Sequence, residues 1–109
     1  MERRLFILQR ATALVLAPLV LGHVAVMIYA VDGGLSGSEI LARTRGSLFW
    51  GAYYSVFVAT AALHGPIGLR AVLREWTAWR GRGLDGAMVA LGLLLLGLGA
   101  QAVAAVVLT

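Results

Sequence analysis

Apolar residues run along this chain in three long blocks, not in the alternation of a strand or the single stripe of a surface helix. The first block extends from Ala11 to Val31 and is interrupted only by Pro18 and His23. The second runs from Leu48 to about Leu73, holds His64 and Pro66, and has Arg70 near its end. The third covers about Ala87 to Leu108, where Gln101 is the sole strongly polar side chain. A bilayer core of about 30 Å is crossed by about 20 apolar residues in a helix. Each block is therefore expected to be a transmembrane helix, giving an all-α fold with a single membrane domain over residues 1–109. Between the first two blocks, Ser36-Gly37-Ser38-Glu39 has the form of a capping box. It predicts a short helix to about Arg43, ended by Gly46, within what otherwise looks like a surface connector.

Composition sharpens this picture. The chain is 61% hydrophobic and 13% charged, with mean hydropathy +0.89. Soluble domains carry roughly a quarter charged residues, and disordered chains are poor in apolar ones. A fold this small and apolar cannot hide its surface in its own core, so lipid must cover it. There is no cysteine, which excludes disulfides, thiolate metal sites and cysteine catalysis.

All nine basic residues are arginine. Arg3, Arg4 and Arg10 precede the first span, and Arg70, Arg74, Arg80 and Arg82 lie at or after the end of the second. Only Arg43 and Arg45 occupy the first connection. The positive-inside rule then places the N-terminus and the second connection in the cytoplasm. Trp76 and Trp79 mark the inner interface and Trp50 the outer one. The pI near 10.7 reflects these interfacial arginines. It indicates topology and lipid headgroups, not nucleic-acid binding. Arg3-Arg4-Leu5-Phe6-Ile7 looks like a twin-arginine export signal, but the apolar run behind it is too long for a signal sequence. The first span is expected to be retained.

Ionisable groups inside a span are costly and are usually functional. Both histidines, His23 and His64, lie inside spans, and no Asp or Glu lies within the apolar core of one. A proton-coupled exporter or channel would need an intramembrane carboxylate, so that reading is weak. A neutral imidazole suits haem iron, and its second nitrogen can bond a hydroxyl or carbonyl. The alternative is a helix-packing histidine bonded to a neighbouring helix. His23 lies eight residues from the outer end of its span at Val31, a depth of about 12 Å. His64 lies nine residues from the inner end at Leu73, a depth of about 14 Å. This places the histidines in opposite halves of the bilayer. It favours two stacked haems, each completed by a partner subunit, over one haem held by both.

Thr60, Ala61, Gly68 and Ala71 share a face with His64 and would admit the edge of a flat ring. Leu16, Leu19, Val20, Val26 and Met27 around His23 leave less room. Pro18 and Pro66 each free the carbonyl four residues earlier, at Leu14 and Ala62. Arg10 and Arg70 stand at the cytoplasmic mouths of their spans. There they either snorkel to headgroups or pair with a haem propionate or a quinone carbonyl.

The run from His64 through Gly65, Pro66, Ile67, Gly68, Leu69 and Arg70 to Glu75-Trp76 resembles the second-span signature of a known family. The family is the cytochrome b membrane-anchor subunits of succinate dehydrogenase and fumarate reductase. In it, a haem-ligand histidine is followed by a glycine, an arginine, and an acidic residue beside an aromatic. His64, Gly68, Arg70, Glu75 and Trp76 fill those places. Leu8-Gln9-Arg10-Ala11-Thr12 is similar to the family's first-span stretch, whose arginine helps form the quinone site, and His23 resembles the first-span histidine of two-haem members. Gln9 stands where many members carry histidine, Phe6 where some carry a quinone-binding serine, and Ala71 where some carry a second histidine. The departures fall on the quinone pocket, which would then be built mainly by partner subunits or lie elsewhere.

The resemblance implies a multi-pass subunit of a bacterial-type inner membrane, part of respiratory complex II and the tricarboxylic acid cycle. Its three helices would join a second anchor subunit, or a second copy of itself, in a bundle of about five or six helices. That bundle would dock an iron–sulfur subunit and a flavoprotein subunit, which carry the iron–sulfur clusters and the FAD. The chain itself would perform no dicarboxylate chemistry. It would hold haem b through His64 and His23, with Arg70 and Arg10 binding cofactor, and would contribute to a quinone site. A haem-free anchor or assembly subunit is the alternative.

Overall fold

The computed structural model describes residues 2–108, with the side chain of Glu2 left aside. The described residues form four helices: α1 (Glu2–Gly33), α2 (Gly37–Thr44), α3 (Leu48–Trp76) and α4 (Arg82–Val107). Helices α1, α3 and α4 are the long apolar ones, and each is long enough to cross a membrane. The shortest has 26 residues, about 39 Å at the usual rise. The molecule is an elongated body of 48 × 23 × 22 Å. At one end lie the start of α1, the end of α3 and the start of α4, together with most of the arginines; this is the basic end. The opposite end carries α2.

Local chemistry sets the helix boundaries. The backbone N–H of Gly34 closes α1 onto the Ala30 carbonyl at 2.8 Å, and Gly34 then turns the chain with φ +107, a value that suits glycine. The Ser36 hydroxyl caps α2, accepting from the Glu39 N–H at 3.2 Å and donating to the Glu39 carboxylate at 2.6 Å. Gly46, with φ +68, ends that turn as expected. Ser47 caps α3 by accepting from the Trp50 N–H. Thr77 ends α3 by donating both its N–H and its hydroxyl to the Leu73 carbonyl.

The first connection is more than a surface connector. The Thr44 hydroxyl donates to the Val106 carbonyl at 2.6 Å, and the Gly46 N–H donates to the Val107 carbonyl at 2.6 Å. These bonds satisfy carbonyls that the last turn of α4 cannot pair within its own helix. Helix α1 begins at Glu2, well before the apolar block at Ala11. Apolar content marks the lipid-facing portion of a helix, whereas the backbone ladder continues through Arg3, Arg4 and Arg10.

Helix α3 is the centre, packed against both α1 and α4. Its contact with α4 is close because the glycines of α4 present no side chain. A Cβ at Gly92 would lie 3.2 Å from the Ala62 carbonyl oxygen, the carbonyl freed by Pro66. A Cβ at Gly99 would collide with the Val58 side chain. Small residues let membrane helices approach in this way. The buried apolar core is correspondingly slight, with Ala30, Ala62 and Leu84 as its members among the described residues. Large residues such as Leu21 (72% exposed) and Leu93 (65%) face outward, where lipid or a partner helix must cover them.

Candidate functional site

His64 sits on the face of α3 that meets α1. Its Nδ1 lies 3.1 Å from the hydroxyl of Thr12, which is 5% exposed. Nε2 of His64 has no hydrogen-bond partner among the described residues. One turn further along α3, Gly68 makes room for Gln9: a Cβ there would meet the Gln9 amide nitrogen at 2.9 Å. The Gln9 side-chain oxygen is buried without a hydrogen-bond partner. The gap left by the small residues around His64 is thus partly filled by α1.

The two arginines separate. Arg70 is buried, and its Nε donates to the Asp85 carboxylate at 2.8 Å, tying the end of α3 to the first turn of α4. Asp85 is also well placed against the positive N-terminal end of the α4 dipole. Arg10 is exposed and lies over the Phe6 ring, 5.3 Å from its centroid. It precedes Thr12 by two residues, about 200° around the helix, so it points away from His64.

His23 occupies the α2 end of the same α1–α3 seam. Its ring meets the edges of Tyr54 and Phe57 at centroid distances of 5.7 and 5.6 Å. Its Nδ1 is 3.5 Å from the Tyr54 hydroxyl, the outer limit of a hydrogen bond. Tyr54 is stacked on Trp50, and Tyr53 donates its hydroxyl to the Leu19 carbonyl across Gly22. Beside His23 opens a cleft of about 360 Å³, bounded by Thr44, Phe57, Val58 and Val106. The bulky residues on its face of α1 suggested little room; the room comes instead from α2 and α4 standing away.

A second cleft of about 560 Å³ runs along α3 and α4, lined by apolar side chains, with the Arg70–Asp85 pair at its basic end. Thr12 and His23 are eleven residues apart on α1, and Tyr54 and His64 ten apart on α3. Both intervals correspond to roughly 15 Å along the bundle. Each histidine therefore has its own surroundings, and the structure does not bring the two together.

Residues 2–107 match the family described as the succinate dehydrogenase/fumarate reductase transmembrane subunit. The chain belongs to this family. No curated protein and no solved structure matches it. Family and structure agree on a helical membrane anchor with three spans.

Within this transmembrane subunit, the sequence did not disclose two of the site's members. Asp85 lies outside any span core, and its pairing with Arg70 depends on how the α3–α4 hairpin closes. Thr12 belongs to the first-span resemblance, but nothing in its spacing pointed to His64.

Proposed function

We propose that this chain is the haem b-binding anchor of a succinate:quinone or fumarate:quinone oxidoreductase. In that role it docks the iron–sulfur and flavoprotein subunits and helps pass electrons to or from membrane quinone. The observation carrying this reading is the state of His64. Its Nδ1 is engaged by a buried hydroxyl, while Nε2 is available, the arrangement required of an imidazole that ligates iron. The residues therefore fit the group that the family suggests. Bound haem supplies a one-electron redox centre. The chain's own part is to orient His64, exclude water from the seam and complete the bundle with a second anchor or a second copy.

His23 would hold a separate haem, since the two histidines are too far apart to share one iron. Arg10, being exposed, retains the reading of a propionate or quinone contact. Arg70 is committed to Asp85 and serves first to brace α3 against α4. With the N-terminus in the cytoplasm, the basic second connection from Arg74 to Arg82 faces the iron–sulfur subunit.

The competing reading is a haem-free anchor in which the Thr12–His64 bond only joins two helices. A reduced-minus-oxidised spectrum of the purified complex, with haem quantified, separates them. Absence of a haem Soret band from the wild-type complex would falsify the haem reading and leave the anchor role alone.

A further inference from the structure

The hydroxyl of Thr12 has three close neighbours and one proton. Oγ1 lies 2.9 Å from the Leu8 carbonyl oxygen, 3.0 Å from the Gln9 carbonyl oxygen and 3.1 Å from His64 Nδ1. Carbonyl oxygens only accept. If the Thr12 proton turned toward His64, its oxygen would face two carbonyl oxygens at contact distance with no hydrogen between them. The site is nearly sealed from water, so nothing would offset that arrangement. The proton therefore stays within α1, on Leu8 or Gln9. The hydroxyl oxygen is then an acceptor, and the third neighbour must donate: His64 carries its proton on Nδ1.

We propose that Thr12 is a positioning residue for His64, accepting its Nδ1–H and so holding the imidazole in the tautomer whose Nε2 lone pair is free to bind iron. The inference rests on the haem reading above and deepens it. Two features follow from the geometry. The hydroxyl, rather than the methyl, does the work, so serine can replace threonine and valine cannot. And because the acceptor is anchored to the backbone of α1, the ring plane of His64 is fixed by the α1–α3 packing, not by its own rotamer alone.

The test uses the assembled complex carrying Thr12→Val, Thr12→Ser, Thr12→Ala or His64→Ala. Haem per complex and the midpoint potential of the remaining haem are measured beside the amount of complex assembled. Loss of an orienting partner of a metal-bound histidine typically weakens binding by about 10–100-fold. Thr12→Val is expected to lower haem retention on that scale when haem is limiting. The haem that it keeps should have a higher midpoint potential, because an imidazole without its Nδ1–H bond donates less to ferric iron. Thr12→Ser is expected to match the wild type in both readouts. Thr12→Ala is expected to behave as valine does, and it carries the test if the valine complex fails to assemble.

Wild-type haem content and potential in both Thr12→Val and Thr12→Ala, with haem lost in His64→Ala, would overturn the role of Thr12 and leave His64 a ligand. Loss of haem in Thr12→Ser equal to that in Thr12→Val would also overturn it, since the hydroxyl would not be the operative group. Full haem content and an unchanged spectrum in His64→Ala would instead remove the ligand reading on which the proposal depends.

Discussion

The two histidines of this chain lie in one seam, between the same pair of helices, yet they are held by opposite means. His64 is fixed by a single buried hydroxyl at 3.1 Å, and the space beside it is taken up by the Gln9 side chain. His23 stands at the edge of an aromatic cluster, with its nearest polar neighbour at 3.5 Å and a cleft of about 360 Å³ at its side. One region supplies orientation with little internal room; the other supplies room with loose orientation. A ligand at His64 would have to be completed from outside this chain, by the second anchor or second copy proposed above. A ligand at His23 would lie partly within the chain's own cleft. Position in the seam explains the difference. At the basic end, Gln9 and Thr12 of α1 reach across to Gly68 and His64 of α3. At the α2 end, large rings of α3 fill the seam, and one of them, Tyr53, seats against Gly22 of α1.

The strongest way to break this comparison is to remove each imidazole. In the assembled complex, His64→Ala and His23→Ala are each expected to lose one of two haems, read by pyridine haemochromogen assay and reduced-minus-oxidised spectra. If only His64→Ala loses haem, His23 is a packing residue and the aromatic region has no cofactor. If one substitution removes all haem while the other removes none, the two-haem arrangement fails.

Next in size come changes at the glycines that set the seam. A Cβ at Gly22 would sit 2.5 Å from the Tyr53 hydroxyl oxygen, whose bond to Leu19 must then break or shift. Overpacking of this kind costs about 1–3 kcal/mol. It outweighs the roughly 1 kcal/mol by which alanine is favoured over glycine within a helix. A Cβ at Gly68 meets only the far end of the flexible Gln9 side chain, at 2.9 Å. Gly22→Ala should therefore lower the thermal midpoint of the detergent-solubilised complex, and Gly68→Ala should leave it near wild type. Equal losses would mean that both ends of the seam are packed alike.

How much of this was legible in the sequence depends on the kind of interaction. The three spans were legible because lipid imposes a requirement on composition, and the chain meets it in three long apolar blocks. The α2 cap was legible because a capping box is local: Ser36 and Glu39 are three residues apart and carry the whole signal. The room beside each histidine was not. A histidine's own helix face does not set the space beside it; the side chains and positions of neighbouring helices do. Gly68 is met by Gln9 of α1, whereas a cleft bounded by α2, α3 and α4 opens beside His23. The Arg70–Asp85 pair was missed for the same reason. It bridges 15 residues across a hairpin whose register no single-sequence pattern encodes.

That ion pair also sharpens the comparison, because the α2 end has no counterpart to it among the ion pairs described. Asp85 is 41% exposed at its side chain and Arg70 is 11% exposed. Charged hydrogen bonds contribute about 1.5–3 kcal/mol, and the exposure of Asp85 reduces this toward about 1 kcal/mol. Asp85→Asn should lower the thermal midpoint modestly, and the loss should shrink in high salt. The spectrum of haem at His64 should not change, since Arg70 and His64 lie on different faces of α3. A changed spectrum would show that Arg70 communicates with the haem despite its commitment to Asp85.

The smallest effect is expected where the contrast between the two histidines is most direct. Tyr54→Phe removes the hydroxyl that lies 3.5 Å from His23 Nδ1 and keeps the ring that packs against it. At 3.5 Å the bond lies at the edge of useful geometry, so its loss should cost less than about 0.5 kcal/mol. The aromatic contacts with His23 and Trp50 remain. Haem content and midpoint potential at His23 should stay at wild-type values, whereas Thr12→Val changes both at His64. If Tyr54→Phe instead depletes haem as strongly as Thr12→Val, the hydroxyl must close on His23 in the assembled bundle. The two sites would then be oriented by the same device, one borrowed from an aliphatic side chain and the other from an aromatic one.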